Sequence, residues 1–592
     1  MFQSFEAKTS QDTAAGRIAA IRAEMAKEKL DAFLIPRSDA HQGEYVAPRD
    51  ERLAWATSFT GSAGFAAVIC ETVGLFVDGR YTLQAQAQTD AALFTYLNIP
   101  DDSLGGWLQD QLFDGAIIGY DPWLYTKSQI AALRKSAPKL ELRAVENLID
   151  RVWMDQPSAP LDLMVPYPES LAGKPSTEKR EALANKLKVD GHSAAIISQP
   201  DSIAWLLNTR GTDLGQTPVA LAFAILHSDA SVDLYIHAEK MDQALSDHFG
   251  SKIRCHKPEE LERDIRSLEG KVLLDEARAP IIFHDWLGNK LVAGDDPCLA
   301  PKAQKNAAEI AGTTAAHIRD GVAMTRFLHH VATLDDWPTE IDLVKTLEAF
   351  RRDTGALKNI SFDTICGSGP NGAIVHYRVT EGTNRQLEKG DVLLVDSGGQ
   401  YLDGTTDITR TMAIGDVPLE AREAFTLVLK GMIAISMARF PKGLAGRDID
   451  ALARAPLWAQ GMDYDHGTGH GVGVYLGVHE GPQNLSRRSE VPLELGMILS
   501  NEPGYYRTGE FGIRIENLIY VKKAPEGADD REMFAFETLT LAPIDRTMII
   551  RGLLTSAERA WLDDYHQRVF DTLSDQLEHD VAEWLQQVTA PI

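Results

Sequence analysis

Two carboxylates beside short apolar runs constrain the last third of this chain more than any other feature. Asp396 ends the apolar run 392–395, which is too short for a helix and is rich in branched residues, as buried strands are. Asp407 opens a second strand-like run, 407–412, after a turn-rich stretch. A carboxylate in the core of a sheet is costly to bury unless it is paired or holds a cation. Two of them on neighbouring strands therefore predict a cation site.

Three further residues extend this set. His470 lies in a segment with glycine at alternate positions, where the backbone can approach a ligand closely. Glu502 follows a short apolar run and precedes a Pro-Gly pair, so we expect it at the end of a strand. Glu516 lies in the strand pattern 512–520, where it shares one face with Arg514. The pattern predicts one charged strand face within an apolar frame.

Four carboxylates and one imidazole form an oxygen-dominated donor set. Such a set suits manganese, which is the expected ion, with cobalt and zinc as alternatives. Two divalent ions would balance four negative charges and share a water of lowered pKa. Taken singly, each acid is also explained by a salt bridge or a turn. The spacing of His466 and His470 fits a helical zinc pair, but the glycines between and after them argue against a helix.

The joint pattern resembles the motifs of the pita-bread metallopeptidases, the superfamily of methionine aminopeptidase, prolidase and aminopeptidase P. The matching segments are VDSGG at 395–399, DITRT at 407–411, HGTGHG at 466–471, NEPGY at 501–505 and IRIEN at 513–517. The ligand order Asp, Asp, His, Glu, Glu agrees throughout. The resemblance is nearest to the long, three-domain, cytosolic type of Xaa-Pro aminopeptidase and covers almost the whole chain.

This resemblance implies a dinuclear-metal aminopeptidase, a hydrolase that releases the first residue from X-Pro-Y peptides. In the implied arrangement Asp396 binds one ion, Asp407 and Glu516 bridge, and His470 with Glu502 completes the other. A metal-bridging hydroxide attacks the carbonyl of residue one, and Glu502 accepts the proton of the water. Preference for proline rests on the resemblance alone.

Five more residues receive roles, four of them from the resemblance and Arg514 from its position on the strand face of Glu516. His376 matches the proton-shuttling histidine that assists departure of the prolyl nitrogen. His479 matches a histidine that hydrogen-bonds substrate and stabilises the oxyanion, and His466 matches one that lines the pocket beside the scissile bond. All three are expected to be catalytic and to bind substrate, against the alternative of ordinary core or surface histidines. Arg80 is implied near the substrate entrance, across a dimer contact.

Arg514 is the fifth. We expect it to neutralise and position ligand acids such as Asp407, and the sequence leaves a direct substrate contact open as the alternative. It is therefore counted among the catalytic candidates.

A helix and strand pattern that occurs twice in the chain predicts two related α/β domains. Helical patterns at 18–30 and 181–187 precede strand patterns at 32–36 and 194–198, and each pair is followed by a tryptophan-bearing segment. Proline-rich stretches at 157–168 and 297–301 suit linkers. The predicted domains are two creatinase-like N-terminal α/β domains, 1–155 and 156–305, and a catalytic pita-bread domain of α+β type with a C-terminal extension, 306–592.

The catalytic domain should carry helices over one face of its curved sheet. Helical periodicity covers 306–329, 339–353 and 419–440. The segment 553–577 is a further helical candidate, and we expect it to contribute to the homodimer that the resemblance implies.

Composition limits the partners. A formal charge of -26 argues against nucleic acid and anionic membranes, because both would be repelled at long range. No apolar run approaches the roughly 20 residues of a membrane span, and the start of the sequence shows no signal peptide. Four scattered cysteines fit a reducing compartment. We expect a cytoplasmic protein with free thiols whose partners are peptides with proline at position two.

Three other functions compete. Prolidase would share all five ligands but has a single, shorter amino-terminal domain. Creatinase-like amidinohydrolases share the scaffold and lack the metal set. A non-catalytic binding module on the same fold would have lost ligand residues, and here all five are present.

Overall fold

The structure, a computed structural model, describes residues 1–7, 9–99, 101–334, 336–525, 527 and 530–592. The chain forms two compact units. Lys8–Leu299 makes the amino-terminal unit, and Ala300–Ile592 together with Met1–Ala7 makes the carboxyl-terminal unit. The finer domain boundaries at 155/156 and 305/306 stay predictions.

The amino-terminal unit contains two six-stranded sheets with the same strand order. The first runs Phe94–Ile99, Val73–Asp78, Phe65–Ile69, Ala32–Pro36, Ile117–Tyr120, Glu141–Ala144. The second runs Ile253–His256, Val232–Tyr235, Phe223–His227, Ala194–Ile197, Val272–Leu274, Leu291–Ala293. In both, the second, third and fourth strands pair antiparallel and the remaining neighbours pair parallel. The predicted pair of related α/β domains is confirmed.

Amphipathic helices cover these sheets. Ala14–Glu28 buries Ile18, Ile21 and Met25 on one face and ends at Lys29, whose φ of 54° is left-handed. The helices of the unit are Ala14–Glu28, Arg52–Thr57, Thr82–Gln88, Leu104–Gln111, Lys127–Ser136, Leu148–Val152, Glu169–Ala172, Ser176–Val189, Pro200–Leu207, Gln243–Phe249, Leu261–Ser267 and Ile281–Leu287. The short strands Val165–Pro166 and Thr209–Arg210 pair with each other, so part of the predicted linker is ordered against the second sheet's domain.

The carboxyl-terminal unit is built from several antiparallel sheets. Two are three-stranded: Asn359–Ile360, Gly399–Tyr401, Gly404–Thr405, and Ile365–Ser368, Val392–Ser397, Ile408–Ala413. A six-stranded sheet runs Arg439–Pro441, Met533–Thr538, Asn517–Lys523, Ile498–Asn501, Gly469–Gly471, Glu480–Leu485. Gly504–Arg507 and Phe511–Arg514 form a hairpin. The strands that carry the candidate ligands thus belong to different sheets.

Helices pack against these sheets. They are Ala307–Ala332, Glu340–Asp353, Leu419–Ser436, Gly446–Trp458, Ser556–Leu573 and His579–Val588, and Leu299–Ala303 spans the boundary between the units. Capping boxes begin three of them, at Asn306, Thr339 and Thr555. Leu419–Ser436 buries an apolar face that includes Phe425, Val428 and Met432.

Two predicted elements are wrong in detail. The predicted helix 419–440 ends at Ser436, because Arg439–Pro441 pairs as a strand with Met533–Thr538 and Pro441 cannot continue a helix. The predicted strand 512–520 is two strands that belong to different sheets, and the break falls at residues 515–516.

All four cysteines are free thiols. Among the described residues, every helix is too short or too polar to cross a bilayer.

Candidate metal centre

The two aspartates belong to neighbouring paired strands: Asp396 lies on the first, and Asp407 comes immediately before the second. Val392–Ser397 and Ile408–Ala413 are antiparallel neighbours in which Asp396 is opposite Thr409. Asp407 directly precedes the second strand, and both carboxylates are buried. The alternation along these strands places apolar side chains in the core and both acids at one end of the sheet.

His470 and Glu502 come from the six-stranded sheet. His470 is central in Gly469–Gly471, with a bulge on its carboxyl side, and Glu502 follows Ile498–Asn501. The flanking glycines serve the sheet: a Cβ on Gly469 would lie 1.9 Å from the Ser500 carbonyl oxygen. The glycine therefore lets the backbone beside His470 approach a neighbouring strand. The sequence had suggested instead that the backbone approaches a ligand.

Glu516 lies at the crossing between two sheets. Phe511–Arg514 pairs with Gly504–Arg507, whereas Asn517–Lys523 pairs with Ile498–Asn501. At the crossing the Glu516 N–H donates to the Thr409 carbonyl (3.1 Å), and the Thr409 hydroxyl donates to Glu516 Oε2 (2.8 Å). These bonds hold the carboxylate beside the strand that follows Asp407.

Three of the predicted ligands converge closely. One ligand atom each of Asp407, His470 and Glu516 lies within 4.8 Å of the others. His470 Nε2 is 3.5 Å from Asp407 Oδ2 and 3.4 Å from Glu502 Oε1, which brings Glu502 to the same place. Asp396 pairs with Arg514 (2.6 Å), whose Nε donates to the Thr409 hydroxyl (3.2 Å), the group that donates to Glu516.

The electrostatics of this cluster fit cations. Burial, reinforced by Asp407 and two other carboxylates, raises the pKa of Glu516 well above its usual value. Burial also raises the pKa of Asp407. For His470, burial lowers the pKa, but the hydrogen bond to Asp407 and the charge of Glu502 outweigh it, so the pKa is raised overall. Buried carboxylates that repel one another in this way are neutralised by taking up either protons or cations, and the site is therefore suited to cations.

Two carboxylate oxygens also have spare coordination capacity. Asp396 Oδ1 and Glu516 Oε1 are buried and make no hydrogen bond within the part of the chain that the structure describes. Buried acceptors are normally satisfied, so each orphan oxygen is suited to a ligand from outside the chain. An oxygen-rich set with one imidazole fits divalent manganese, cobalt or zinc.

Arg514 heads a hydrogen-bonded chain that leads away from the cluster. Its guanidinium donates to Asp396 Oδ2 (2.6 Å) and to the Tyr506 hydroxyl (2.6 Å), and Tyr506 is 2.9 Å from His466 Nε2. The acid that Arg514 pairs with is thus Asp396, where the sequence suggested Asp407. Tyr506 was missed by the sequence reasoning; its only signal was a second aromatic residue in the short strand after Glu502.

The other histidines occupy separate segments. The rings of His479 and His470 meet edge to face, with centroids 4.3 Å apart. His376 is half-buried in a turn after the short helix Gly369–Ala373. That helix touches the strand of Arg514, because a Cβ on Gly512 would lie 1.7 Å from the Gly372 carbonyl oxygen.

Arg80 belongs to the amino-terminal unit. It forms a bidentate pair with Asp78 (2.7 and 3.0 Å) and lies over the ring of Tyr81. Its role towards substrate stays a prediction.

Comparison with known proteins agrees with this architecture. The model of metallopeptidase family M24 matches residues 310–523, and its C-terminal region matches 532–592. Two models of the creatinase/prolidase N-terminal domain match 17–154 and 155–309. The M24 match, 310–523, contains all five predicted ligands.

The similar proteins match this chain over almost its whole length. A probable Xaa-Pro aminopeptidase P of Coccidioides posadasii is 38% identical over 97% of this chain and 93% of its own. The corresponding protein of Tuber melanosporum is 39% identical over 97% of this chain and 99% of its own.

Two crystal structures allow a comparison of folds. A Caenorhabditis elegans X-prolyl aminopeptidase, described as a cytosolic enzyme with a di-nuclear active site, has a TM-score of 0.94 and 32% identity over 98% of this chain and 100% of its own. An Xaa-Pro dipeptidase from Bacillus anthracis shares the fold over 62% of this chain and 99% of its own, with a TM-score of 0.51 and 24% identity. The ligand cluster, the repeated amino-terminal domains and these similarities place the chain in metallopeptidase family M24, among the Xaa-Pro aminopeptidases.

Proposed function

We propose that this protein removes the first residue from peptides with proline in second position, using two divalent ions held by Asp396, Asp407, His470, Glu502 and Glu516. The observation that carries the proposal is the convergence of Asp407, His470 and Glu516 within 4.8 Å in the part of the chain that matches family M24. The length of the chain supports an aminopeptidase over a dipeptidase, because the dipeptidase fold corresponds to only 62% of it.

The ligands would divide between the two ions as the resemblance implies, with Asp407 and Glu516 shared. When bound, such a pair of ions supplies an activated water and charge stabilisation of the reacting carbonyl. The orphan oxygens of Asp396 and Glu516 support their assignment as ligands.

Glu502 is the proposed base. Its Oε1 accepts a hydrogen bond from the Ser500 hydroxyl (3.1 Å), which fixes the carboxylate at the end of its strand. Glu502 takes a proton from water as the water oxygen bonds to the carbonyl carbon of residue one. Arg514 holds Asp396 in place through its short charge-assisted hydrogen bond.

The histidines handle the substrate. His479, beside His470, donates to the carbonyl oxygen as negative charge develops there. His376 delivers a proton to the prolyl nitrogen as the bond between the carbonyl carbon and that nitrogen breaks. His466, fixed by Tyr506, lines the pocket beside the scissile bond. The prolyl nitrogen carries no hydrogen and belongs to a ring of fixed geometry. A pocket shaped for that ring would therefore select the substrate.

Manganese as the resident ion, a cytoplasmic location and a homodimer complete the proposal. The Caenorhabditis elegans relative, described as cytosolic, supports the location. Arg80 would reach the substrate entrance across the dimer contact. Ser556–Leu573 would contribute from its exposed face, since Leu562 and Val569 face the core of their own unit.

One assay decides between the candidate functions. Metal-stripped protein is incubated with and without Mn2+ on Arg-Pro-Pro, Gly-Pro and Met-Ala-Ser. We expect manganese-dependent release of arginine from the first peptide alone. Cleavage of Gly-Pro alone would identify a prolidase, and absence of hydrolysis by a folded protein would identify a binding module.

A further inference from the structure

The first residues of the chain belong to the carboxyl-terminal unit, although nearly three hundred residues of the other unit follow them. We call residues 2–6 the amino-terminal strap. The strap has no helix or strand. Its hydrogen bonds run to Thr364, to the segment 378–381 and, through the Phe2 N–H, to Glu348 on the helix Glu340–Asp353 (3.0 Å). Thr364 precedes the strand that pairs with the strand of Asp396, and the segment 378–381 follows His376.

Gln3 fixes the first of these segments. Its side chain is buried, and its amide makes two hydrogen bonds with the backbone of Thr364: Thr364 N–H donates to Oε1 (2.8 Å), and Nε2 donates to the Thr364 carbonyl (3.3 Å). Thr364 directly precedes the strand Ile365–Ser368, in which Ile365 is opposite Asp396. Gln3 therefore ties the strap to the residue before the strand that pairs with the strand of Asp396.

Arg378 fixes the second segment. Its guanidinium donates to the Ser4 carbonyl (2.7 Å) and to the Glu6 carbonyl (3.2 Å). The Glu381 N–H donates to the Phe5 carbonyl (2.9 Å), as a rung of sheet would. The strap offers backbone carbonyls at three successive residues, and the segment that contains Arg378 satisfies all of them.

His376 lies in the same segment, two residues before Arg378. Residues 374–383 form no helix or strand. A backbone bond from the Tyr377 N–H to the Ile374 carbonyl (3.0 Å) closes the turn at His376, and side-chain bonds tie that turn to its surroundings. On one side the Tyr377 hydroxyl donates to the buried carboxylate of Glu340 (3.0 Å). On the other side Arg378 bonds to Asp363 (2.9 Å) and to the carbonyls of the strap. The turn that carries His376 is thus held between the core and the strap.

We propose that the amino-terminal strap positions His376 and that Arg378 is the residue through which it acts. This inference rests on the proposed function, in which His376 transfers a proton. Arg378 is a positioning residue and makes its contacts with Asp363 and the strap. Displacing a catalytic group by about 1 Å can cost about 100-fold in rate, so a loosened turn should lower kcat more than it raises KM.

The test is a double-mutant cycle on manganese-loaded enzyme with Arg-Pro-Pro. Arg378→Met keeps the apolar stem and removes the donors; we expect kcat to fall about 10-fold with KM changed less than about 2-fold. Arg378→Lys, which keeps a charged donor, should recover part of the loss. Arg326→Met is the matched control, since Arg326 is similarly exposed and pairs with Asp353 (3.2 Å) on another face of the unit's helices.

The decisive comparison uses His376→Ala. If the strap acts through His376, Arg378→Met should change kcat less than about 2-fold in that background, because the two residues act as a unit. A full second loss there would overturn the inference while leaving the role of His376 intact. If His376→Ala alone keeps the parent kcat, the proposed role of His376 fails and the inference falls with it.

Hydrogen exchange gives a readout independent of activity. In Arg378→Met, amides of 374–381 should exchange faster while the strands of the six-stranded sheet keep their protection. Unchanged exchange in 374–381 would also overturn the inference.

Discussion

Replacing Glu516 by glutamine should have opposite effects on stability with and without metal. Glu516 is 1% exposed, its Oε2 accepts from Thr409, and its Oε1 is one of the two orphan oxygens. Asp407 and two other carboxylates surround it. Without cations its Oε1 is an acceptor with no donor in a negatively charged pocket. With cations it would be a ligand in the proposed arrangement.

The magnitude follows from these contacts. A buried unsatisfied polar group costs about 1–3 kcal/mol, and an amide in its place can still accept from Thr409 and donate to a neighbouring carboxylate. Metal-free Glu516→Gln should therefore be neutral or more stable than the parent by up to about that amount. With free Mn2+ at 100 times its Kd the parent gains about 2.7 kcal/mol. A tenfold weaker site would lose about 1.4 kcal/mol of it.

Calorimetry of metal-stripped and manganese-saturated protein measures the change in Tm that the substitution causes in each state. The loss with metal corresponds to a Tm about 2 °C lower, at about 1.6 °C per kcal/mol for a unit of about 300 residues. Glu340→Gln is the matched control. Glu340 is equally buried and accepts from the Ser368 N–H (2.8 Å) and the Tyr377 hydroxyl (3.0 Å), so its loss should destabilise equally in both states.

Destabilisation of metal-free Glu516→Gln to the extent seen for Glu340→Gln would refute this reasoning. So would an undiminished rise in Tm when manganese is added to the variant. Either result would mean that the carboxylate is a structural group satisfied by the protein itself.

Three other predictions concern buried groups of the same unit. Burial lowers the pKa of His566 to about 3, below its unfolded value, so its stabilising contribution is present at neutral pH and is lost as the pH falls from about 6.5 towards 3. About 2 kcal/mol should disappear by pH 5, and urea titrations of His566→Gln should show a correspondingly flatter pH dependence. Arg351→Met leaves Asp320 without its ion pair (2.8 Å) and should cost about 3–5 kcal/mol in urea unfolding; a loss below 1 kcal/mol would contradict this. Arg454 donates to the His466 carbonyl (2.8 Å), so Arg454→Met should lower kcat/KM for Arg-Pro-Pro by about 10-fold, and unaltered kinetics would argue against a role for that loop.

Local patterns predicted much of the fold and the metal centre. The strand Ala32–Pro36 has the predicted bounds, and Asp396 and Asp407 lie where their apolar runs indicated. These predictions succeeded because the few residues around each position show by their hydrophobic pattern whether that position is buried on a strand. The repeated amino-terminal domains were visible for the same reason, since each repeat carries its own helix and strand pattern.

The failures share a cause in long-range structure. Residues 512–520 alternate as one strand would, and nothing in them shows that the chain crosses between sheets at Glu516. The partner of Arg514 is more than a hundred residues away, so the choice of Asp396 over Asp407 had no local signal. Tyr506 and the amino-terminal strap were missed because each acts through contacts with distant segments.

The crossing at Glu516 also bears on when activity can arise. Asp396 and Asp407 belong to one sheet, His470 and Glu502 to another, and Glu516 is the last of the five along the chain. A growing polypeptide that ends before this residue lacks one of the five proposed ligands, however well its earlier sheets have formed. Hydrolysis should therefore begin only after this late segment has left the ribosome, so that truncated products of translation remain harmless to other peptides.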